Sequence, residues 1–121
     1  METGEAKHPA EYYKKYIIVR LQIEGLHNWP NCNIEEVSFL KNEHRHIFHI
    51  ELKKQVNHND RDIEIIQLKR GVIKCIDNLY GTPAIFGSLS CESIASILVD
   101  IFELDSCSVI EDGENGACVI R

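Results

Sequence analysis

The first regular feature of the chain is an alternation of apolar and polar residues with the two-residue period of a β-strand. Between residue 15 and about residue 26, the odd positions are apolar: Ile17, Val19, Leu21 and Ile23. Between residue 44 and about residue 56, the even positions share one face: His44, His46, Phe48, Ile50 and Leu52. Because successive side chains of a strand point to opposite faces, each segment predicts a strand with one buried face.

The apolar period changes in the second half of the chain. From residue 62 to about residue 79 it has steps of three and four, which predict a helix: Ile65, Leu68, Val72, Ile76 and Leu79. Ser88 or Ser90 is placed to cap a second helix, whose apolar face is Ile94, Ile97, Leu98, Ile101 and Phe102. Residues 80–88 predict a loop between the helices. Strands are expected at 106–111 and 117–120, joined by the turn-prone residues 112–116.

These elements predict an α+β fold in the order ββααββ. It consists of an antiparallel four-stranded sheet with two helices packed on one face. Residues 1–14 are mostly polar and predict a flexible N-terminal arm, and residues 15–121 predict a single ligand-binding domain. Since such a sheet leaves one face and two edges open, we expect a homo-oligomer with pockets at subunit interfaces.

Composition narrows the classes of partner. The 121 residues carry a formal charge of −6, which argues against a nucleic-acid polymer because phosphate-backbone binding needs clustered Lys and Arg. No apolar run approaches the length of a membrane span, and the polar start is unlike a signal peptide, so we expect no membrane partner. The five cysteines are odd in number and form no CxxC pair, which is typical of reduced thiols in a cytoplasmic protein.

Histidines form the first of four candidate clusters. Pairing the first two strands antiparallel brings His27 near His44 and His46, and three imidazoles are a common zinc set. The alternative is that these histidines are simply hydrogen-bonded within the strands. The residues alone leave both interpretations open.

The other three clusters suggest contacts with a small anionic or heterocyclic ligand. The hairpin 111–116 has the carboxylates of Glu111 and Glu114 beside Asn115, and a carboxylate there can accept N–H groups of a heterocyclic ligand. The alternative is that this hairpin is an ordinary solvated turn. The start of the second helix offers phosphate contacts through Ser88 and Ser90 and a stacking ring in Phe86, although plain capping explains the serines. Two arginines, Arg45 and Arg61, can pair with phosphate or remain solvated.

The histidine pattern resembles the tunnelling fold of the 6-pyruvoyl- and 6-carboxytetrahydropterin synthases. His27 resembles the first zinc histidine of that family, and His44-Arg45-His46 resembles its His-Gly-His pair. Glu111 falls where the family keeps its substrate-anchoring glutamate. The catalytic Cys that precedes the His-Gly-His pair by four residues is replaced by Leu40, and the stretch 80–88 has no Asp-His. The resemblance implies a zinc-dependent enzyme, whereas the departures indicate a binder without catalytic groups.

A second resemblance is to the phage Thoeris anti-defence proteins of the first type. It lies in residues 44–49, 60–64, 87–92 and 111–117. It implies a cytoplasmic dimer or hexamer that sequesters a TIR-derived cyclic ADP-ribose isomer (gcADPR) without cleaving it, and therefore neither an enzyme nor a cofactor. On chemical grounds we expect Phe86 to stack on adenine and Arg45 and Arg61 to pair with the pyrophosphate. The full predicted ligand-binding set is Arg45, Arg61, Phe86, Ser88, Ser90, Glu114 and Asn115. The alternative function is the zinc-dependent synthase-like enzyme, with zinc on His27, His44 and His46.

Overall fold

The protein is described by a computed structural model that covers residues 13–121. The predicted N-terminal arm lies outside these residues except for Tyr13 and Lys14. The structure has an α+β fold with one open five-stranded sheet, two α-helices and one 3-10 helix across the described residues.

The first two strands form a long antiparallel pair. Strand β1 spans Lys15–His27 and strand β2 spans His44–Val56. They pair without a break from Lys15 opposite Val56 to His27 opposite His44. A 3-10 helix, Glu35–Lys41, lies in the connection between them. The predicted strands are therefore confirmed, and the end of the pair that carries the histidines is closed by this connection.

The helices agree with the apolar periodicity. Helix α1 spans Ile65–Tyr80 and begins after Glu64, whose carboxylate accepts hydrogen bonds from the backbone N–H groups of Ile66 and Gln67. The helix therefore starts later than residue 62, because a capping residue is not itself helical. Helix α2 spans Cys91–Phe102, and of the two predicted caps it uses Ser90. No helix in the described part of the chain is long and apolar enough to cross a membrane.

The sheet corrects the predicted topology. A short strand, β3 (Ala84–Gly87), lies in the stretch predicted as a loop and pairs parallel to the end of β1. Strands β4 (Ser106–Glu111) and β5 (Asn115–Ile120) form the predicted hairpin, with β5 beginning two residues before Ala117. The strand order is β3-β1-β2-β4-β5, so the sheet is mixed and five-stranded rather than antiparallel and four-stranded. The three residues between Pro83 and Gly87 are too few to show a strand period.

A single core cluster joins the sheet to both helices. Fully buried side chains come from β2, from α1 and from α2, and include Phe48, Ile50, Leu52, Ile76 and Leu98. In β1 the buried face carries Val19 and Leu21 and ends at His27, which is also buried. The apolar face of the sheet thus leads directly into the histidine cluster.

Candidate metal centre and adjoining cavity

The three histidines meet at one end of the β1–β2 pair. His27 is opposite His44 in the register, and His46 is opposite Gly25, two residues away on the same face. One nitrogen from each ring can be chosen so that all three lie within 4.8 Å of one another. The predicted convergence is therefore present, and it follows from the strand period together with the antiparallel register.

Each ring is fixed through its Nδ1 atom. The Nδ1 atom of His27 lies 2.9 Å from the carbonyl oxygen of Leu89, and that of His44 lies 2.8 Å from the carbonyl oxygen of Asn42. The Nδ1 atom of His46 lies 2.7 Å from Oδ2 of Asp112. Since carbonyl and carboxylate oxygens only accept, all three Nδ1 atoms carry the proton and donate it. In the neutral rings each Nε2 atom then has a free lone pair.

These Nε2 atoms lack ordinary partners. Those of His27 and His46 are buried and have no hydrogen-bond partner among residues 13–121. The Glu111 carboxylate lies close to both: its Oε2 is 3.0 Å from Nε2 of His27 and its Oε1 is 3.5 Å from Nε2 of His46, without hydrogen-bond geometry. A buried polar atom without a partner is costly, so this arrangement fits a group that three lone pairs can bind together.

The donor set suits zinc. Zinc binds histidine nitrogen and carboxylate oxygen in tetrahedral sites, and a metal-bound histidine almost always donates its other N–H to a carbonyl or a carboxylate. The three Nδ1 contacts have that pattern, and the Glu111 carboxylate lies beside two of the three Nε2 atoms. The residues present therefore fit a zinc ion held by His27, His44 and His46.

Charge and burial shape the surroundings. The hydrogen bonds from His46 and from the backbone N–H of Ile47 lower the pKa of Asp112, which keeps this carboxylate ionised. Burial, with a further contribution from Glu111, raises the pKa of the Cys91 thiol to about 12. Its Sγ donates to Oε2 of Glu111 at 3.5 Å. Cys91 is therefore a protonated thiol that helps to hold the Glu111 carboxylate.

A cavity of about 490 Å³ opens beside the histidines. It is formed by the end of β1 and the following loop, the start of β2, the start of α2 and the β4–β5 hairpin. Its lining residues are His27, Asn28, Trp29, Leu40, His44, Ser88, Leu89, Ser90, Cys91, Glu92, Glu111, Asn115 and Gly116.

Hydrogen bonds fix the loop that carries one wall of the cavity. The backbone N–H of Trp29 donates to the carbonyl of Leu40 at 2.7 Å, and that of Asn28 donates to the carbonyl of Gly87 at 2.9 Å. The side chain of Asn28 also donates to the carbonyl of Lys41. Trp29 and Leu40 are thus held next to each other and contribute apolar surface to the lining of the cavity.

The predicted ligand-binding residues fall into two groups. Ser88, Ser90 and Asn115 line the cavity. Arg45, Arg61, Phe86 and Glu114 are not among the residues between 13 and 121 that line it.

The two arginines are engaged elsewhere. Arg45 lies on the opposite face of β2 from the histidines and forms an ion pair with Glu24, which raises its pKa. Arg61 precedes α1 and pairs with Asp60. The structure therefore does not bring the two arginines together at the cavity.

Phe86 lies in the core, away from the position expected for a ligand contact. Its ring is only 3% exposed and packs in the core against Phe48 and Tyr80. The structure therefore places Phe86 in the core and not among the cavity-lining residues, because alternate residues of the unpredicted strand β3 point inward.

No site role was predicted for Trp29 or Asp112, and Leu40 was noted only as the residue that replaces the catalytic Cys of the synthases. Trp29 lies in the long 27–43 connection, where the length of the connection was the only signal for this residue. Asp112 lay in a hairpin whose turn chemistry explained it already. Neither a scan against protein-family models nor a search of the curated proteins returns a match for this chain.

Proposed function

We propose that this protein is a zinc-dependent enzyme of the pterin-synthase kind, acting on a small heterocyclic molecule held beside the metal. The observation that carries the proposal is the shared orientation of the three imidazoles. Every Nδ1 is bound to a fixed acceptor, and the Nε2 atoms of His27 and His46 are buried without a partner. Bound zinc would supply Lewis acidity to polarise a carbonyl or hydroxyl of the substrate.

The cavity supports a flat ligand with one polar edge. Its volume of about 490 Å³ lies within the range of small-molecule sites, roughly 300–1,000 Å³. Trp29 and Leu40 give the lining apolar surface, while Glu111 and Asn115 give it an acceptor and an amide. A carboxylate can accept two adjacent N–H groups from the edge of a pterin or purine ring. These contacts bind and orient the ring without requiring a basic surface.

A second candidate function rests on Leu40. Leu40 lines the cavity at the place where the synthases are expected to carry their nucleophilic Cys, and a leucine cannot transfer a proton. This favours capture without turnover, as in the proposed phage anti-defence sponge for a TIR-derived cyclic ADP-ribose isomer. Ser88 and Ser90 at the start of α2 would then face its phosphates.

Metal analysis tests the first part of the proposal. We expect the chain, purified without chelator, to hold about one zinc per chain by mass spectrometry of the metal. His44→Ala should lose it. His49→Ala is the matched control, because His49 is on the same strand but on the opposite face. A wild-type chain that neither retains nor takes up zinc would sink the proposal.

Ligand analysis separates the two candidates. Trp29 is the only tryptophan in the chain and lines the cavity, so its fluorescence reports directly on occupancy. The zinc-loaded protein is titrated with a reduced pterin and, separately, with a cyclic ADP-ribose isomer, and the ligand is then recovered by heat denaturation and identified by mass spectrometry. A converted pterin supports the enzyme, whereas an intact cyclic nucleotide supports the sponge.

Glu111→Gln should abolish pterin binding and keep the zinc if Glu111 accepts the N–H groups at the edge of the pterin ring.

Assembly as a homo-oligomer in the cytoplasm stays a prediction. Light scattering on the purified chain measures the mass of the particle and distinguishes a monomer from a dimer or a hexamer.

A further inference from the structure

We propose that Asp112 is a positioning residue for the metal centre: it fixes the tautomer and the orientation of His46 and thereby sets the affinity for zinc. This inference rests on the proposed function, since it requires that the three histidines bind a metal. Asp112 does not itself enter the ligand set, and it acts through the imidazole of His46.

The carboxylate of Asp112 is held in place by the backbone of the neighbouring strand. Its Oδ1 accepts the backbone N–H of Ile47 at 2.9 Å, and the backbone N–H of Asp112 donates to the carbonyl of Ile47 at 2.8 Å. Asp112 is thus fixed to the residue next to His46 by two hydrogen bonds. Its other oxygen, Oδ2, remains directed at Nδ1 of His46 at 2.7 Å.

The partner of His46 differs in kind from the other two. His27 and His44 donate to the backbone carbonyls of Leu89 and Asn42, whereas His46 donates to a side chain. A carboxylate partner makes a charge-assisted hydrogen bond and increases the basicity of the opposite ring nitrogen, which strengthens a metal bond. Among the three contacts, this one alone can be changed by substitution without altering the backbone.

Asp112→Asn is the sharpest substitution. Asp112 has a φ of 54°, a left-handed conformation that Asn adopts readily. If the amide oxygen keeps the N–H of Ile47, the NH₂ group faces His46 and favours the ring with its proton on Nε2, which then has no free lone pair on Nε2 for the metal. If the amide is reversed, its NH₂ group faces the backbone N–H of Ile47, and two donors then face each other without an acceptor. In either orientation we expect the zinc dissociation constant to rise about 10- to 100-fold.

Two further variants separate positioning from charge and from folding. Asp112→Gly removes the carboxylate, tolerates the left-handed backbone and imposes no tautomer, so its zinc affinity should fall between wild type and D112N. Asp100→Asn removes the same charge from an exposed position of α2 and should leave the affinity unchanged. Zinc affinity is measured by competition with a chromophoric chelator on the full chain.

The tautomer of His46 distinguishes this role from a purely structural one, because a loss of stability alone would not transfer the ring proton from Nδ1 to Nε2. Long-range ¹H–¹⁵N spectra of the metal-free protein should show the His46 proton on Nδ1 in wild type and on Nε2 in D112N. The role of Asp112 would be overturned if the His46 proton of the wild-type protein were on Nε2. It would also be overturned if the zinc affinity of D112N were within threefold of wild type, or if that of D112G did not fall between wild type and D112N. A wild-type chain that binds no zinc would instead overturn the proposed metal site.

Discussion

The ring of Phe86 lies directly against Gly25. A Cβ atom placed on Gly25 would be 2.7 Å from Cε2 of Phe86 and 3.0 Å from Cε2 of Phe48. Glycine at this position therefore lets the two rings pack face to edge, with their centroids 5.0 Å apart, immediately beneath the histidines. His27 follows two residues later on the same face of β1, and its ring lies 5.2 Å from that of Phe48, so the packing of Phe86 reaches the candidate metal centre through Phe48.

Gly25→Ala should destabilise the fold and weaken zinc binding. The added methyl group has no space between two buried rings, and overpacking of this kind costs about 1–3 kcal/mol of unfolding free energy. Any shift of β1 also moves His27. Chemical denaturation and zinc competition measure the two effects.

Gly71→Ala is the control, because a Cβ atom at Gly71 meets nothing within 4 Å. Since Gly71 lies in the interior of α1, this substitution should stabilise the protein by about 0.5–1 kcal/mol. Equal effects of the two substitutions would contradict this account.

Trp29→Leu should weaken ligand binding without changing the zinc content. Trp29 forms an apolar wall of the cavity and is not part of the histidine cluster. Loss of a stacked ring costs about 0.5–1.5 kcal/mol, or roughly 2- to 12-fold in affinity. Isothermal titration calorimetry is suitable because the variant lacks the fluorescent reporter. Tyr16→Leu, which changes an exposed aromatic residue at the far end of β1, should bind the ligand like wild type.

Cys91 should resist alkylation in the native protein. Its pKa of about 12 lies well above the ordinary 9.0, so the thiolate fraction at neutral pH falls on the order of 1,000-fold. Cys107 is also buried and also has its pKa raised to about 12, chiefly by burial, whereas Cys118 is exposed. Treatment with iodoacetamide followed by peptide mass spectrometry should label Cys118 first and the other two only after denaturation. Native labelling of Cys91 as fast as Cys118 would refute the prediction.

The cap of α1 should make stability depend on pH in the acid range. The backbone N–H groups of Ile66 and Gln67 lower the pKa of Glu64 below its ordinary 4.5. A carboxylate with a lowered folded pKa stabilises the protein fully above its unfolded pKa, and this contribution is lost as the pH falls through the folded value. Glu64→Gln should therefore lower Tm by a few degrees at pH 7. The difference from wild type should shrink steadily below about pH 4.5. A difference that stays constant down to pH 2 would contradict the role of charge.

Much of the site was predictable because two simple periods determine it. Alternation along β1 and β2 places His27 on the apolar face of one strand and His44 and His46 on the apolar face of the other, and the antiparallel register puts all three on the same face of the sheet. Glu111 was predictable as the last residue of a strand before a turn. The helices were predictable from their three- and four-residue steps.

The tertiary structure alone decided what closes around these residues. By itself the sequence determined the two long strands, both helices, the hairpin and the histidine cluster, since each follows from a local period or turn signal. Strand β3 depends on pairing with β1, and that pairing turned Phe86 from a candidate ligand contact into a core residue. The cavity wall at Trp29 and the bond from His46 to Asp112 join residues far apart in the chain. Such contacts leave no period in the sequence, because they are set by how the elements pack against one another.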